Sequence, residues 1–282
     1  MTMIKELFYL LTVRIPTTVM GRLKGNLIHV HWSRIGKNFG DCLSPIILKH
    51  YGFTPVFCTN HNKSDVVVAG TLLQWLERDY AGYVVGAGAD EGVYDFGKAK
   101  VLAVRGALTR ANLKVDTAPV MGDPGLLMPL IYNGAREKKW EVGIVPHFVD
   151  FNHPFIGKMM AKYNGKCKRI DVLRDPKAVI DDITACRYIL SSSLHGLIVA
   201  DAYGIPNARI VIRETMPTSR YDYKFNDYYS IFQYEHTPVE ITDETEMESL
   251  VSKCELQNRQ KVQRKIAELD ALFAEFRKRF KN

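Results

Sequence analysis

Three serines and a histidine stand together at Ser191-Ser192-Ser193-Leu194-His195-Gly196, between two apolar runs. The upstream run, Arg187-Tyr188-Ile189-Leu190, has the pattern of a buried parallel strand. The downstream run over 197–203 has that of a helix closed by Gly204 and Pro206. A polar loop between a strand's C-terminal end and a helix N-terminus is where open α/β sheets hold ligands. Three hydroxyls, backbone N–H groups and an imidazole would converge there, and the positive end of the helix favours an anion. The expectation is an anionic substrate with His195 as proton donor, since imidazole titrates near neutrality. The plainer alternative is a serine-rich turn around a half-buried histidine.

Two further residues carry chemistry at predicted strand ends. Asp41 follows Gly40 beyond a predicted first strand over 26–32, where it could orient or deprotonate a hydroxyl. It could equally cap the helix predicted over 43–50. Arg105 directly follows the apolar run 100–104, a position where a guanidinium needs a partner. A bound carboxylate or phosphate would satisfy it, and Asp123 is the internal alternative. Gly106 would then let a ligand approach the backbone. Thr71, after Gly70, ends another strand and offers a hydroxyl.

Other polar groups have plainer readings. Asp123-Pro124-Gly125 is expected to be a turn in which the aspartate accepts local N–H bonds. His29 and His31 share one strand face, as a metal pair would, but no third ligand is fixed nearby and no metal is expected. His61, His153 and His236 are expected at the surface. Tyr221-Asp222-Tyr223 and Tyr228-Tyr229 could stack on a sugar face or pack as core. Gly86-Ala87-Gly88 lacks the rest of a dinucleotide fingerprint, so no NAD is expected.

The elements that would position these residues repeat in two blocks. Strands are predicted at 65–70, 82–86 and 100–104, with helices over 71–76 and 106–113. The polar, aperiodic segment 131–139 follows as a linker, and strands recur at 140–147, 169–172, 187–190 and 208–212. Strand–helix units in two blocks predict an α/β fold of two Rossmann-like doubly wound domains facing a cleft. Their expected bounds are 1–133 and 134–255, with an amphipathic helix over 256–282. That helix is expected to dock on the protein, with membrane contact as the alternative.

Composition sets outer limits. At 282 residues, 46% hydrophobic and 24% charged, the chain can bury a sizeable core. A net charge of +7 biases partners toward anions, but the excess gathers near the ends and no nucleic-acid signature accompanies it. Five widely spaced cysteines without a C-x-x-C predict reduced thiols in a cytoplasmic protein. The apolar run 7–13 stops at Arg14 and Pro16, too short to span a bilayer. Packing as an ordinary terminal helix is the favoured reading of that run, with a place on a membrane surface, given its basic flank, as the alternative. Peripheral attachment to the inner face of the plasma membrane, through the basic ends, stays open.

Taken in order, four stretches resemble the polysaccharide pyruvyl transferase family of bacterial exopolysaccharide and capsule synthesis. They are Asn38-Phe39-Gly40-Asp41, Val104-Arg105-Gly106-Ala107-Leu108-Thr109, Met121-Gly122-Asp123-Pro124-Gly125 and Ser191-Ser192-Ser193-Leu194-His195-Gly196. The resemblance implies a fold similar to GT-B glycosyltransferases. It implies transfer of the enolpyruvyl carbons of phosphoenolpyruvate, as co-substrate, to a hexose, with a cyclic pyruvate ketal formed and phosphate released. It points to His195 as the acid and Asp41 as base or anchor. Arg105, Gly106, Ser192, Ser193 and His147 would lie on the donor side, and Asn38, Gly40 and Thr71 on the acceptor side. The expected acceptor is a galactose-type residue, with free 4- and 6-hydroxyls, of a lipid-linked saccharide. Many members carry an arginine where this chain has Ser193, leaving His147 or Arg213 as candidates for the missing charge. Two other readings are a nucleotide-sugar glycosyltransferase on the same fold and an inactive carbohydrate-binding subunit.

Overall fold

Continuous apolar runs bounded by glycines and polar loops become parallel strands covered on both faces. The computed structural model describes residues 2–33, 38–115, 118–135, 137–213, 215, 219–235, 237–242 and 244–280; His236 lies outside them. The first sheet contains β1 (Leu27–Val30), β2 (Thr54–Phe57), β3 (Val66–Val67), β4 (Tyr83–Val85), β5 (Lys100–Val104) and β6 (Val120–Met121). The second contains β7 (Trp140–Val145), β8 (Cys167–Arg169), β9 (Cys186–Ser191), β10 (Asn207–Val211) and β11 (Val239–Glu240). Strand order is β2-β1-β3-β4-β5-β6 in one and β11-β10-β9-β7-β8 in the other. Every pairing between these strands is parallel.

The helices are α1 (Thr2–Tyr9), α2 (Ile15–Leu23), α3 (Phe39–His50), α4 (Ala107–Asn112), α5 (Met128–Ile131) and α6 (Pro154–Lys162). They continue as α7 (Pro176–Thr184), α8 (Leu194–Tyr203), α9 (Ser219–Ser230), α10 (Met247–Val251) and α11 (Arg259–Arg279). Two boundaries depart from expectation. Helix α3 begins at Phe39 and α8 at Leu194, so Asp41 and His195 both sit in first helical turns. The segment after Gly70 forms only a short 3₁₀ turn, Leu73–Trp75. Gly204 ends α8 in the left-handed conformation (φ +67°), where glycine carries no Cβ penalty.

One core cluster joins the two halves. It runs from Ile28 and Leu43 through Leu126 and Ile198 to Phe225 and Phe273. Helix α11 returns to the first sheet: Phe273 stacks on Tyr51 at 5.1 Å and Phe276 lies 5.2 Å from Phe53. The Tyr51 hydroxyl donates to Asp270 at 2.7 Å. Each such buried aromatic is worth about 1.5–3 kcal/mol. The apolar face of α11 is therefore used inside the protein, which removes it as a membrane-contacting face.

Candidate active site

In both sheets the strand order reverses at one place, and open α/β sheets bind ligands at that crevice. In the first sheet the reversal lies between β1 and β3; beyond their C-terminal ends come Asn38 and Asp41, then Gly70 and Thr71. In the second it lies between β7 and β9; beyond these come His147, then Ser193 and His195. All these residues line a single cavity of about 650 Å³. Gln74, Trp75 and Asp90 from the first half, and Tyr221 and Lys224 from α9, also line it.

His195 is held on three sides. A Cβ on Gly40 would lie 2.1 Å from its Nδ1, so the ring fits only because position 40 has no side chain. Gly125 leaves room on the opposite edge, where a Cβ would stand 3.6 Å from Cδ2. Behind the ring the fully buried Asp123 places Oδ1 3.6 Å from Nε2. Asp123 is the turn expected, with Gly125 N–H donating to Oδ1 at 2.8 Å. Its second task, backing the histidine, had no sequence signal. Neither His195 Nε2 nor Asp123 Oδ2 has a hydrogen-bond partner in the structure. A buried donor and acceptor left open in this way are poised for a proton or a ligand.

Asp41 faces the same space. Gly70, at φ +106°, is shaped around its carboxylate: a Cβ there would meet Oδ1 at 2.3 Å. Asp41 is not the cap of α3, because that position belongs to Asn38. Burial pushes its carboxyl up to about 6, with Asp123 adding to the rise and His195 and Lys224 opposing it. A carboxyl poised near neutrality suits proton exchange with a hydroxyl.

The candidates for an anion site sort differently from expectation. Arg105 is fully buried and spent internally: Nε donates to Asp227 (2.8 Å), Nη1 to Thr71 Oγ1 (2.7 Å) and Nη2 to Ala89 O (3.1 Å). Its ion-pair partner is Asp227 on α9, not Asp123. Gly106 is approached by the Asp227 backbone, not left open to a ligand; a Cβ there would lie 1.7 Å from Asp227 O. Ser192, 1% exposed, donates to Asp150 and accepts from His147 N–H at 2.9 Å. Ser191 is likewise buried, bonded to Val145 O and Ser193 O, so Ser193 alone of the three lines the cavity.

Neither expected substitute for the missing arginine supplies charge. Burial, with nearby Lys224 adding to the fall, lowers His147 to about 3, so the ring is neutral. Arg213 is paired with Glu240 (2.8 Å) and Asp222 (3.3 Å) and lies off the cavity. Among the described residues the cation lining the cavity is Lys224, which sequence reasoning missed. Burial lowers it to about 8, with Arg105 and Arg209 adding to the fall and Asp90 and Asp150 opposing it. Tyr221, one turn before Lys224, joins it in the wall, whereas Tyr228 and Tyr229 are core.

The remaining histidines have separate partners. His29 Nδ1 meets Asp65 Oδ2 at 2.9 Å, His31 Nδ1 meets Cys58 O at 2.9 Å, and His153 accepts from Phe155 N–H. His61, half-buried, meets Trp75 O. Among the described residues no group of three or more His, Cys, Asp or Glu is placed to hold a metal ion.

The sequence over residues 19–212 matches the family model described as polysaccharide pyruvyl transferase. The chain belongs to the polysaccharide pyruvyl transferase family. An uncharacterized protein of Acanthamoeba polyphaga mimivirus is 29% identical over 190 residues, covering 65% of this chain and 60% of that protein. The matched family region contains every cavity residue named above except Tyr221 and Lys224, which α9 brings in from beyond it.

Proposed function

We propose that this cavity transfers the enolpyruvyl carbons of phosphoenolpyruvate to a hexose, closing a 4,6-linked cyclic pyruvate ketal and releasing phosphate. The observation that carries the reading is the meeting of Asp41, His195 and Lys224 at the crevice formed by both sheet reversals. Family membership supplies the reaction class.

The reaction needs a proton at C3 of the enol and a hydroxyl attacking C2. Asp41 takes the proton of the attacking sugar hydroxyl while His195 protonates C3, turning the methylene into a methyl group. Attack of the second hydroxyl on C2 then breaks the bond to the phosphate oxygen and closes the ring; its proton leaves with phosphate. Lys224 and the N-terminal end of α8 face the donor's negative charge. The acceptor we propose is a galactose-type residue on a lipid-linked oligosaccharide or polysaccharide precursor, modified at the cytoplasmic face of the membrane. Thr71 and Asn38 offer it hydrogen bonds, and Tyr221 offers a ring for its apolar face, while Ser193, at the start of α8, stays on the donor side.

Phosphate release from phosphoenolpyruvate, measured with a panel of galactosides and with product mass checked, tests the reading. Acceptor-dependent release and a ketal product, both abolished in His195→Ala, are expected. Nucleotide-sugar turnover without phosphoenolpyruvate consumption would make the protein a glycosyltransferase instead. Acceptor binding without any turnover would make it a carbohydrate-binding subunit.

A further inference from the structure

Residues 2–23 form one helical rod: α1, five residues of wider π-helical winding at Leu10–Arg14, then α2. Its far end is seated on the body. Gly21, the buried residue of α2, fits so closely that a Cβ would lie 2.9 Å from Leu27 and 3.0 Å from Thr54. The preceding turns expose large apolar side chains, with Ile4 75%, Phe8 68% and Leu11 56% accessible. In α1 and the turn after it, Ile4, Leu7, Phe8 and Leu11 fall on one side at helical spacing, with Lys5, Glu6, Tyr9 and Thr12 opposite. Exposed Ile15, Val19 and Leu23 prolong the apolar surface along α2. A contiguous apolar surface of this kind marks an interaction site.

Its charge says which kind. Between residues 2 and 24 the rod carries Lys5, Arg14, Arg22 and Lys24 against Glu6 as the one acidic residue. Where it meets the body, Asn26 Nδ2 donates to Gly52 O at 3.0 Å. Arg277 of α11 lies beside Gly52 with its guanidinium 5.2 Å over the Phe53 ring, bringing the basic end of α11 to the same corner. A second copy docked on the stripe would set these cations against their own duplicates. Crossing a bilayer is not open to the rod, because no helix among the described residues is long and apolar enough.

We propose that residues 2–24 are a membrane-surface anchor, lying in the interface of an anionic bilayer with the apolar stripe in the acyl region and the cations on the headgroups. Interfacial helices bind through this combination of buried apolar area and attraction to anionic lipid. Each cation near such a surface contributes about fivefold in partitioning. The proposal does not depend on the reaction assigned above.

The test is flotation of the full-length protein with phosphatidylcholine vesicles, with and without phosphatidylglycerol, at low and high salt. Wild type is expected to float with the anionic vesicles and to lose most of that binding in high salt. The exposed double variant Leu7→Glu/Phe8→Glu, checked for folding by circular dichroism, is expected to lose at least tenfold, as is Arg22→Glu/Lys24→Glu. Turnover of a water-soluble acceptor stays unchanged in both. Binding indifferent to phosphatidylglycerol overturns the proposal. So does a wild-type dimer in light scattering that Leu7→Glu/Phe8→Glu makes monomeric without any vesicle binding.

Discussion

Gly40 and His195 share one space: the position a Cβ would take on Gly40 lies 2.1 Å from the imidazole Nδ1. The first turn of α3 thus serves as the wall that sets the ring of a histidine on α8, with Asp123 closing the other side at 3.6 Å. A methyl group at position 40 must push the ring or the helix aside. Gly40→Ala is therefore expected to lower kcat toward the level of His195→Ala, whose loss of a general acid is worth about 10²- to 10⁴-fold. Gly157, in α6, is the control, since nothing stands within 4 Å of its Cβ position. Gly157→Ala should keep full activity and gain about 0.5–1 kcal/mol of stability. Full turnover in Gly40→Ala would show that the ring is not used where it sits.

Asp41 gives a pH signature in stability as well as in rate. Its carboxyl stands at about 6 in the folded protein against 3.8 ordinarily, so folding favours its protonated form. That contribution is complete below pH 3.8 and is lost as pH rises through about 6. At pH 7.5 the native state therefore carries an unfavourable charge worth on the order of 2 kcal/mol, discounted for the partial opening of the cavity. Asp41→Asn should raise the melting temperature at pH 7.5, leave it unchanged near pH 3.5, and reduce turnover sharply at pH 7.5, where the wild-type carboxylate acts as base. Equal melting shifts at the two pH values would contradict the placement of this carboxyl.

The cation opposite it predicts how the donor is held. Lys224 at about 8 loses its charge within an accessible range. The KM for phosphoenolpyruvate should therefore climb as pH passes about 8, with kcat less affected. Lys224→Met should raise KM about 10- to 100-fold at pH 7, the worth of one hydrogen bond to a charged group. Lys224→Arg should flatten the alkaline rise, because a guanidinium does not titrate there. An unchanged KM in Lys224→Met would assign the donor's charge to another group.

Much of this architecture was legible because parallel strands covered on both faces announce themselves as unbroken apolar runs, as at Val66–Val68 and Val101–Val104. The loops after them were legible because glycine, aspartate and serine gather there. The starts of α3 and α8 were not, whereas α4 begins within one residue of its expected start. Asn38 and Ser193 are both favoured cap types, but each stands among other polar residues that could cap as well, and neither makes a side-chain cap bond. Long-range partners were also hidden. Arg105 read correctly as needing a partner, but Asp227 lies 122 residues away. Lys224 did leave a trace: Tyr221, Lys224 and Asp227 recur every third residue of α9, a polar stripe on a helix whose Phe225 and Tyr228 are buried.

Arg105 and Asp227 supply the sharpest separation of a structural role from a binding one. The pair is fully buried, and Asp227 also accepts from Thr109 N–H (2.8 Å) and its hydroxyl (2.6 Å). It thereby ties β5 and α4 to α9, one turn from Lys224, while Nη1 of Arg105 fixes Thr71. Removing one member of a buried pair leaves the other charge uncompensated, which costs about 3–5 kcal/mol. Arg105→Met should therefore lose stability of that order in chemical denaturation. Turnover that remains at low temperature should show a raised KM, through Lys224 and Thr71 losing their support. Arg105→Lys should rescue little, since one ammonium cannot meet three acceptors arranged around a planar fork. A guanidinium that instead held the donor directly would give the opposite pattern: wild-type denaturation in Arg105→Met together with a large rise in KM.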